Sequence, residues 1–91
     1  MAIGMYFHLK GMTAQKYGET LKKLDAAGAG APKGRAYHAA FGPADSLMVF
    51  DVWNSQAEFD AFGATLVPIL TELGVDPGQP DVVPIHNIIK G

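Results

Sequence analysis

The segment from residue 47 to residue 53, LMVFDVW, constrains the fold of this chain more than any other segment. Successive side chains of a β-strand point to opposite faces of the sheet, so residues two apart share a face. One face of this segment carries Leu47, Val49 and Trp53, and the other carries Met48, Phe50 and Val52. Apolar residues on both faces are typical of a strand that is covered on both sides. The folded protein therefore has to cover two sheet faces.

Hydrophobic periodicity predicts the order βαββαβ for the whole chain. Alternating apolar residues predict strands, helical spacing predicts helices, and capping residues, glycines and prolines mark their ends. The predicted strands are residues 3–9, 35–41, 47–53 and 82–89, and the predicted helices follow Thr13 and Ser55 and end near Gly28 and Gly74. We expect a single α+β domain over residues 1–91, a four-stranded antiparallel sheet with two helices on one face.

Proline modifies two of these elements. Pro68 lies inside the second predicted helix, where its ring clashes with a carbonyl one turn earlier and predicts a kink. Pro84 lies in the last predicted strand and places that strand at an edge of the sheet, because an edge tolerates the missing N–H best.

The second face of the sheet predicts a homodimer. Two helices can cover only one face, and the last predicted strand is also apolar on both faces, with Val83 and Ile85 opposite Val82 and Ile88. An exposed face of this kind forms an apolar patch larger than monomers normally tolerate. The alternative cover is the chain's own loops, which are short and rich in glycine. We therefore expect a second copy of the chain to supply the cover.

Composition excludes several classes of protein. The net charge is −2 and the seven lysines and arginines are scattered, so the concentrated positive surface that nucleic acid requires is absent from the sequence. There is no run of 18 apolar residues and no signal-peptide pattern, so we expect neither a membrane span nor secretion. The absence of cysteine fits a reducing cytoplasm.

A histidine and an aspartate on the second and third predicted strands are the candidate catalytic residues. His38 stands between Ala36 and Ala40, and small neighbours leave open volume around it. Asp51 is the only charge in its apolar segment and needs a partner, for which His38 and Arg35 are candidates. An Asp–His pair fixes the tautomer of a general base. The pairing register of the two strands decides whether His38 and Asp51 share a face of the sheet, and a one-residue bulge reverses the outcome. The alternative to a catalytic pair is a structural polar pair.

Four further residues are candidates for binding a substrate in the same cavity. Trp53 and Phe62 can stack on a planar ligand, although aromatic residues in these positions more often form core. His86 lies on the last predicted strand, where it either lines the cavity or marks the subunit boundary. Tyr37 offers a hydroxyl, and the sequence does not choose between it and the two other tyrosines.

Three histidines are a suitable ligand set for a metal ion. In the usual strand order 4-1-3-2, however, the first and second strands lie two positions apart, which is about 9–10 Å at sheet spacing. His8 and His38 are then too far apart to share one ion within a subunit. We therefore expect no metal site and no bound cofactor.

The segment VFDVWNSQAEFDAF, residues 49–62, resembles the strand-to-helix passage of antibiotic-biosynthesis-monooxygenase-like proteins. An acidic residue, a tryptophan and a capping Ser or Asp precede a helix in that passage. More loosely, His38, residues 51–53 and residues 84–87 are placed as in small bacterial proteins of the same superfamily. The resemblance implies a dimeric α/β barrel, built from two ferredoxin-like domains whose sheets face each other across a twofold axis.

The leading hypothesis is an enzyme without a bound cofactor, acting on a small apolar molecule, aromatic or polyketide-like. His38 acts as general base or acid, Asp51 orients it, and Trp53 forms a wall of the cavity. Proton transfer of this kind serves monooxygenase-, isomerase- or cyclase-like chemistry. The alternatives are a non-catalytic dimer that binds a ligand or partner through the same cavity, and a haem- or metal-binding protein.

Overall fold

The computed structural model describes residues 2–91, which form six elements in the predicted order. The strands are β1 (Ile3–Phe7), β2 (Arg35–Phe41), β3 (Met48–Trp53) and β4 (Asp81–Pro84), and the helices are α1 (Ala14–Ala26) and α2 (Gln56–Glu72). The strands form one antiparallel sheet in the order β2-β3-β1-β4. This is the predicted ferredoxin-like α+β architecture, so the fold prediction is confirmed, including the placement of Pro84 on an edge strand.

Side-chain caps begin both helices where the sequence predicts them. The Thr13 hydroxyl accepts a hydrogen bond from the Lys16 amide at 3.1 Å. The Ser55 hydroxyl accepts from the Glu58 amide at 3.2 Å and donates to the Glu58 carboxylate at 2.9 Å. These contacts satisfy backbone amides that the first turn of a helix leaves unpaired. α2 continues through Pro68.

The last strand is shorter than predicted. β4 ends at Pro84 instead of residue 89, so the prediction that His86 lies on an edge strand is wrong. Pro84 pairs with Ile3, the first residue of β1, and beyond it only the Ile85 amide continues, donating to the Ala2 carbonyl at 3.2 Å. β4 therefore ends opposite the first residue of β1. No helix within residues 2–91 combines the length and apolar character that a bilayer crossing requires.

The hydrophobic core lies between the sheet and the two helices. The sheet contributes buried side chains that alternate along the strands, and each helix contributes its inner face; the main members are Met5, Phe7, Val49, Trp53, Leu24, Phe62 and Leu70. Trp53 and Met5 are the largest fully buried side chains. Asp51 lies on the same face of β3 as Val49 and Trp53, so a carboxylate points into this core.

The other side of the sheet, which we call the open face, consists of residues 4, 6, 37, 39, 41, 48, 50, 52, 81 and 83. Tyr37, Phe41 and Val83 on this face are 46%, 42% and 45% exposed. Ile85 covers part of it, since a Cβ on Gly4 would come within 2.8 Å of its Cδ1 atom. The open face of one chain is therefore apolar and only partly covered.

Candidate functional site

A cavity opens between the helices and the sheet, on the side opposite the open face. β2 and β3 form its floor with His38, Val49 and Asp51, while Tyr17 of α1 and Phe62 of α2 lie on its walls. Its empty space, counted together with its mouth, is about 530 Å³, but the enclosed part holds only a few water molecules. The lining is mostly apolar, and its polar groups converge on the floor.

His38 and Asp51 are paired directly on that floor. They are opposite each other in the β2–β3 ladder, so both side chains point toward the helices. The His38 Nδ1 atom lies 2.5 Å from the Asp51 Oδ1 atom, with the side chains 22% and 6% exposed. A carboxylate this deeply buried requires such partners, because burial without hydrogen bonds is costly. Asp51 therefore fixes the position of the His38 ring.

β2 contains a one-residue bulge, which lies just before His38 in the ladder with β3. The pairing of β2 with β3 shifts between Arg35 and Tyr37, which makes Ala36 the extra residue. Tyr37 lies opposite Val52 on the open face, and the shift places Arg35, two residues earlier, opposite Trp53 on the side of the helices. From Tyr37 onward the ladder is regular, which is why His38 meets Asp51.

Trp53 supports the pair from behind. Its indole Nε1 donates to the second Asp51 oxygen, Oδ2, at 3.2 Å, and its side chain is fully buried. The Trp53 ring packs edge-on against Phe59, with centroids 5.5 Å apart, and against Phe62 at 5.3 Å. The aromatic cluster thus holds the indole in place, and the indole holds the carboxylate.

The Tyr17 hydroxyl is hydrogen-bonded to Nε2, the ring nitrogen of His38 that does not contact Asp51. The Tyr17 hydroxyl lies 2.7 Å from the His38 Nε2 atom, and the two ring planes are within 3° of parallel. Tyr17 sits in the first turn of α1, where its amide donates to the Thr13 carbonyl at 2.8 Å. The capped start of α1 therefore determines where this hydroxyl lies. The result is a chain of hydrogen bonds from Tyr17 through His38 and Asp51 to Trp53.

Burial and the positive charge of Arg35 shift the pKa of the Tyr17 hydroxyl in opposite directions. Desolvation by burial raises the pKa of Tyr17 above 10.0, the positive charge of Arg35 lowers it, and the negative charge of Asp51 raises it; the net shift is upward. Tyr17 is therefore protonated at neutral pH. Arg35 also lines the cavity, with its guanidinium carbon 6.0 Å from the centroid of the Phe62 ring.

The structure brings together some of the residues that the sequence predicts for the site and separates others. His38, Asp51 and Phe62 line the cavity. Trp53 lies behind Asp51 in the core and is not one of the residues that line the cavity. Tyr37 lies on the open face and His86 is exposed beyond β4, so neither belongs to this cavity. The physical reasons are strand alternation for Tyr37, which precedes His38 and therefore points to the other face, and the early end of β4 for His86.

The third histidine, His8, lies on the other side of the sheet from the His38–Asp51 pair. His8 follows β1 on the open-face side, where it stacks on Tyr6 with ring centroids 4.2 Å apart and bonds Asp81 at 2.8 Å. Within residues 2–91, no group of three His, Cys, Asp or Glu side chains is arranged to hold a metal ion.

Sequence reasoning missed the role of two residues. The sequence does not distinguish Tyr17 from the other two tyrosines, and it indicates Arg35 only as a partner for Asp51. The signal that could have selected Tyr17 is its place on the inward stripe of α1, one turn before the buried Thr20 and two turns before the buried Leu24. A helix packed on β2 and β3 brings that stripe over His38.

Comparisons with known proteins find similar folds. SnoaB, a cofactor-independent oxygenase from Streptomyces nogalater, is 16% identical with a TM-score of 0.60 over 99% of this chain and 96% of its own. A conserved protein from Methanosarcina mazei Go1 is 12% identical with a TM-score of 0.55, covering 90% and 88%. NE2512, a protein of unknown function from Nitrosomonas europaea, is 18% identical with a TM-score of 0.53, covering 99% and 94%.

These three structures share their fold with this chain over nearly its whole length. A scan of the sequence against protein-family models found no match, and neither did a search of curated protein sequences. At 12–18% identity the likeness extends to the fold. A fold supports many activities, so the activity has to be argued from the site itself.

Proposed function

We propose that this protein is a cofactor-independent enzyme that removes a proton from carbon in a small apolar substrate. The observation that carries the proposal is the 2.5 Å contact between His38 and Asp51 at the floor of an otherwise apolar cavity. A histidine held by a buried carboxylate in one tautomer is suited to general acid–base catalysis. The apolar lining selects a substrate of matching character.

The same proton transfer serves each of the reaction classes that the sequence suggests. In an isomerase or a cyclase, the proton taken from one carbon returns to the substrate at another atom. In a cofactor-independent oxygenase, the C–H bond breaks, the carbanion adds to O₂, and the proton taken from carbon returns to the terminal oxygen to give a hydroperoxide. The likeness to SnoaB, a cofactor-independent oxygenase, supports the last class.

We further propose that the working form is a homodimer joined through the open face. Its only carboxylate is Asp81, at the edge of the sheet, and the His8 ring already pairs with it. An apolar face without unpaired charge is complementary to a copy of itself, as a twofold interface requires. At about 25 cal/mol per Å², burying several hundred Å² of this face contributes much of the stability of a small domain.

The experiment uses β-tetralone, an apolar ketone whose C–H bonds are weakly acidic. Native protein is expected to accelerate deuterium exchange into the ketone in D₂O, followed by NMR, and His38→Ala to lose most of that acceleration, on the order of 10²–10⁴-fold for one acid–base group. Oxygen uptake, followed with an electrode, separates oxygenation from isomerisation.

Each outcome decides a different part of the proposal. If native protein accelerates neither exchange nor oxygen uptake, the proposal that it is an enzyme is contradicted. If His38→Ala retains full activity, the site is elsewhere. His8→Ala is the matched control, because it removes a histidine from the other side of the sheet and is expected to leave exchange unchanged.

A further inference from the structure

Both ring nitrogens of His38 are already occupied. Nδ1 contacts Asp51 at 2.5 Å and Nε2 contacts the Tyr17 hydroxyl at 2.7 Å. Neither nitrogen therefore has a free lone pair or proton to offer a molecule in the cavity. A substrate that needs a base at this site meets another group first.

The directions of these hydrogen bonds follow from the Trp53–Asp51 end of the hydrogen-bond chain. Asp51 as a carboxylate only accepts, and Trp53 Nε1–H already donates to its Oδ2 atom. His38 Nδ1 must then donate to Oδ1, which leaves Nε2 of the neutral ring as an acceptor. The Tyr17 O–H is the donor to Nε2. Tyr17 oxygen consequently keeps lone pairs free, and Tyr17 lines the cavity.

We propose that the Tyr17 hydroxyl is the catalytic group that touches the substrate, with His38 and Asp51 acting through it as a proton relay. This inference rests on the proposed function, and it assigns the contact with the substrate to a residue of α1 instead of one in the sheet. Buried side-chain nitrogen and oxygen atoms in the described part of the chain all have partners, so the relay is complete before any substrate binds.

The proton transfers balance along the relay. The substrate C–H bond breaks and its proton moves to the Tyr17 oxygen, while the proton of the Tyr17 hydroxyl moves to His38 Nε2. The relay then holds a neutral tyrosine, an imidazolium and the Asp51 carboxylate, and the substrate holds one negative charge. Reversal of both transfers returns a proton to the product. Only protons move, so this step needs no oxidant or reductant.

The electrostatics of the cavity favour a shuttle over a free tyrosinate. Burial raises the pKa of Tyr17, so the residue cannot act as a base at neutral pH without passing its own proton to His38. The positive charge of Arg35 lowers the pKa of Tyr17, opposite to the effect of burial, and stabilises negative charge near the hydroxyl. Arg35 also forms no ion pair with a carboxylate among residues 2–91, so its charge is available to the reacting oxygen.

The test compares Tyr17→Phe with Tyr6→Phe, the same chemical change on the open face. We expect Tyr17→Phe to lose β-tetralone exchange by on the order of 10²-fold or more, as His38→Ala does, because either change breaks the relay. Tyr6→Phe is expected to stay within twofold of the native rate. Circular dichroism and thermal unfolding establish that each variant is folded.

The result that overturns the inference leaves the proposed function standing. If His38→Ala loses exchange while Tyr17→Phe keeps it or gains, then His38 acts on the substrate directly and Tyr17 only covers its nitrogen. If His38→Ala keeps exchange, the proposed function fails first.

A second measurement tests the relay without any substrate. Diethyl pyrocarbonate acylates an unprotonated imidazole nitrogen that has a free lone pair, and mass spectrometry locates the product. Tyr17→Phe frees Nε2, so His38 should react faster in this variant than in native protein, with the exposed His86 as internal standard. An unchanged His38 rate would show that Tyr17 does not occupy Nε2 and would overturn the proposal.

Discussion

At the scale of single residues, Asp51 organises the site because it is the acceptor for two donors. His38 Nδ1 and Trp53 Nε1 each bond one of its oxygens. The sequence predicts this residue well, since a single charge in an apolar strand needs a partner. It does not predict Tyr17, because a tyrosine is equally at home in a core, on a surface or in a site.

Asp51→Asn is expected to reverse the tautomer of His38. The amide keeps one acceptor oxygen, which Trp53 occupies, and presents N–H₂ to the histidine, so that Nδ1 becomes the acceptor and Nε2 carries the proton. Long-range ¹H–¹⁵N NMR of the imidazole distinguishes the two forms. Asp60→Asn, on the exposed side of α2, is the control. A native-like tautomer in Asp51→Asn would contradict the assigned directions of the hydrogen bonds.

Ionisation of Tyr17 is expected to make the protein sensitive to alkaline pH. Burial, partly offset by Arg35, raises the pKa of Tyr17 in the folded chain, so the folded form keeps a proton that the unfolded form loses. The associated stability is complete below the unfolded pKa of 10.0 and is lost as the pH rises through the folded value.

The measurement is urea unfolding in steps from about pH 9 to pH 11, which spans the ordinary pKa of tyrosine. The free energy of unfolding of native protein should fall more steeply with pH than that of Tyr17→Phe, which lacks the titrating group. Equal slopes for the two proteins would contradict the raised pKa.

At the scale of elements, the bulge in β2 places Arg35 at the cavity and the capped start of α1 places Tyr17 there. Residue alternation predicts the strands, but the bulge at Ala36 decides which residues of β2 face the helices. It turns Arg35 to the cavity, whereas alternation without the bulge would put Arg35 on the open face with Tyr37. Sequence reasoning recognised that a bulge would decide the register, and it could not locate one, because a bulge has a weak sequence signature.

Ser55→Ala is expected to lower the free energy of unfolding by about 1 kcal/mol, the usual cost of losing an N-cap. The Ser55 hydroxyl is the acceptor for the Glu58 amide and the donor to its carboxylate, and alanine can do neither. Denaturant unfolding measures the loss. Ser55→Asn preserves a capping oxygen and should recover most of it. Equal free energies of unfolding for Ser55→Ala and Ser55→Asn would mean that the cap contributes little to α2.

At the scale of the whole molecule, the open face is the surface on which the proposed homodimer depends. The structure of one chain leaves Tyr37, Phe41 and Val83 more than two-fifths exposed on the same side of the sheet. Ile85 packs over Gly4 and covers one part of that side. The segment after β4 therefore supplies some of the cover that the sequence assigns to a second copy, and the remaining apolar surface carries the proposal of a homodimer.

Phe41→Glu is expected to shift the protein from dimer to monomer. Phe41 is 42% exposed on the open face, where a carboxylate would be buried without a partner in the twofold interface. Val67→Glu is the matched control, because Val67 is 48% exposed but lies on α2, on the opposite side of the molecule. Analytical ultracentrifugation over a range of concentrations gives the masses. Native protein that stays monomeric throughout would contradict the dimer.

The sequence by itself determined the order of elements, both helix caps and the carboxylate that needs a partner, because these depend on local periodicity and on the cost of burying charge. The tertiary structure decided that His38 faces Asp51, that Arg35 turns to the cavity, that His86 lies outside it, and that the Tyr17 hydroxyl bonds His38 Nε2. Those outcomes depend on a one-residue shift in a ladder and on how a helix lies across a sheet. Neither is encoded within a short stretch of chain, since each is settled by packing between segments far apart in sequence.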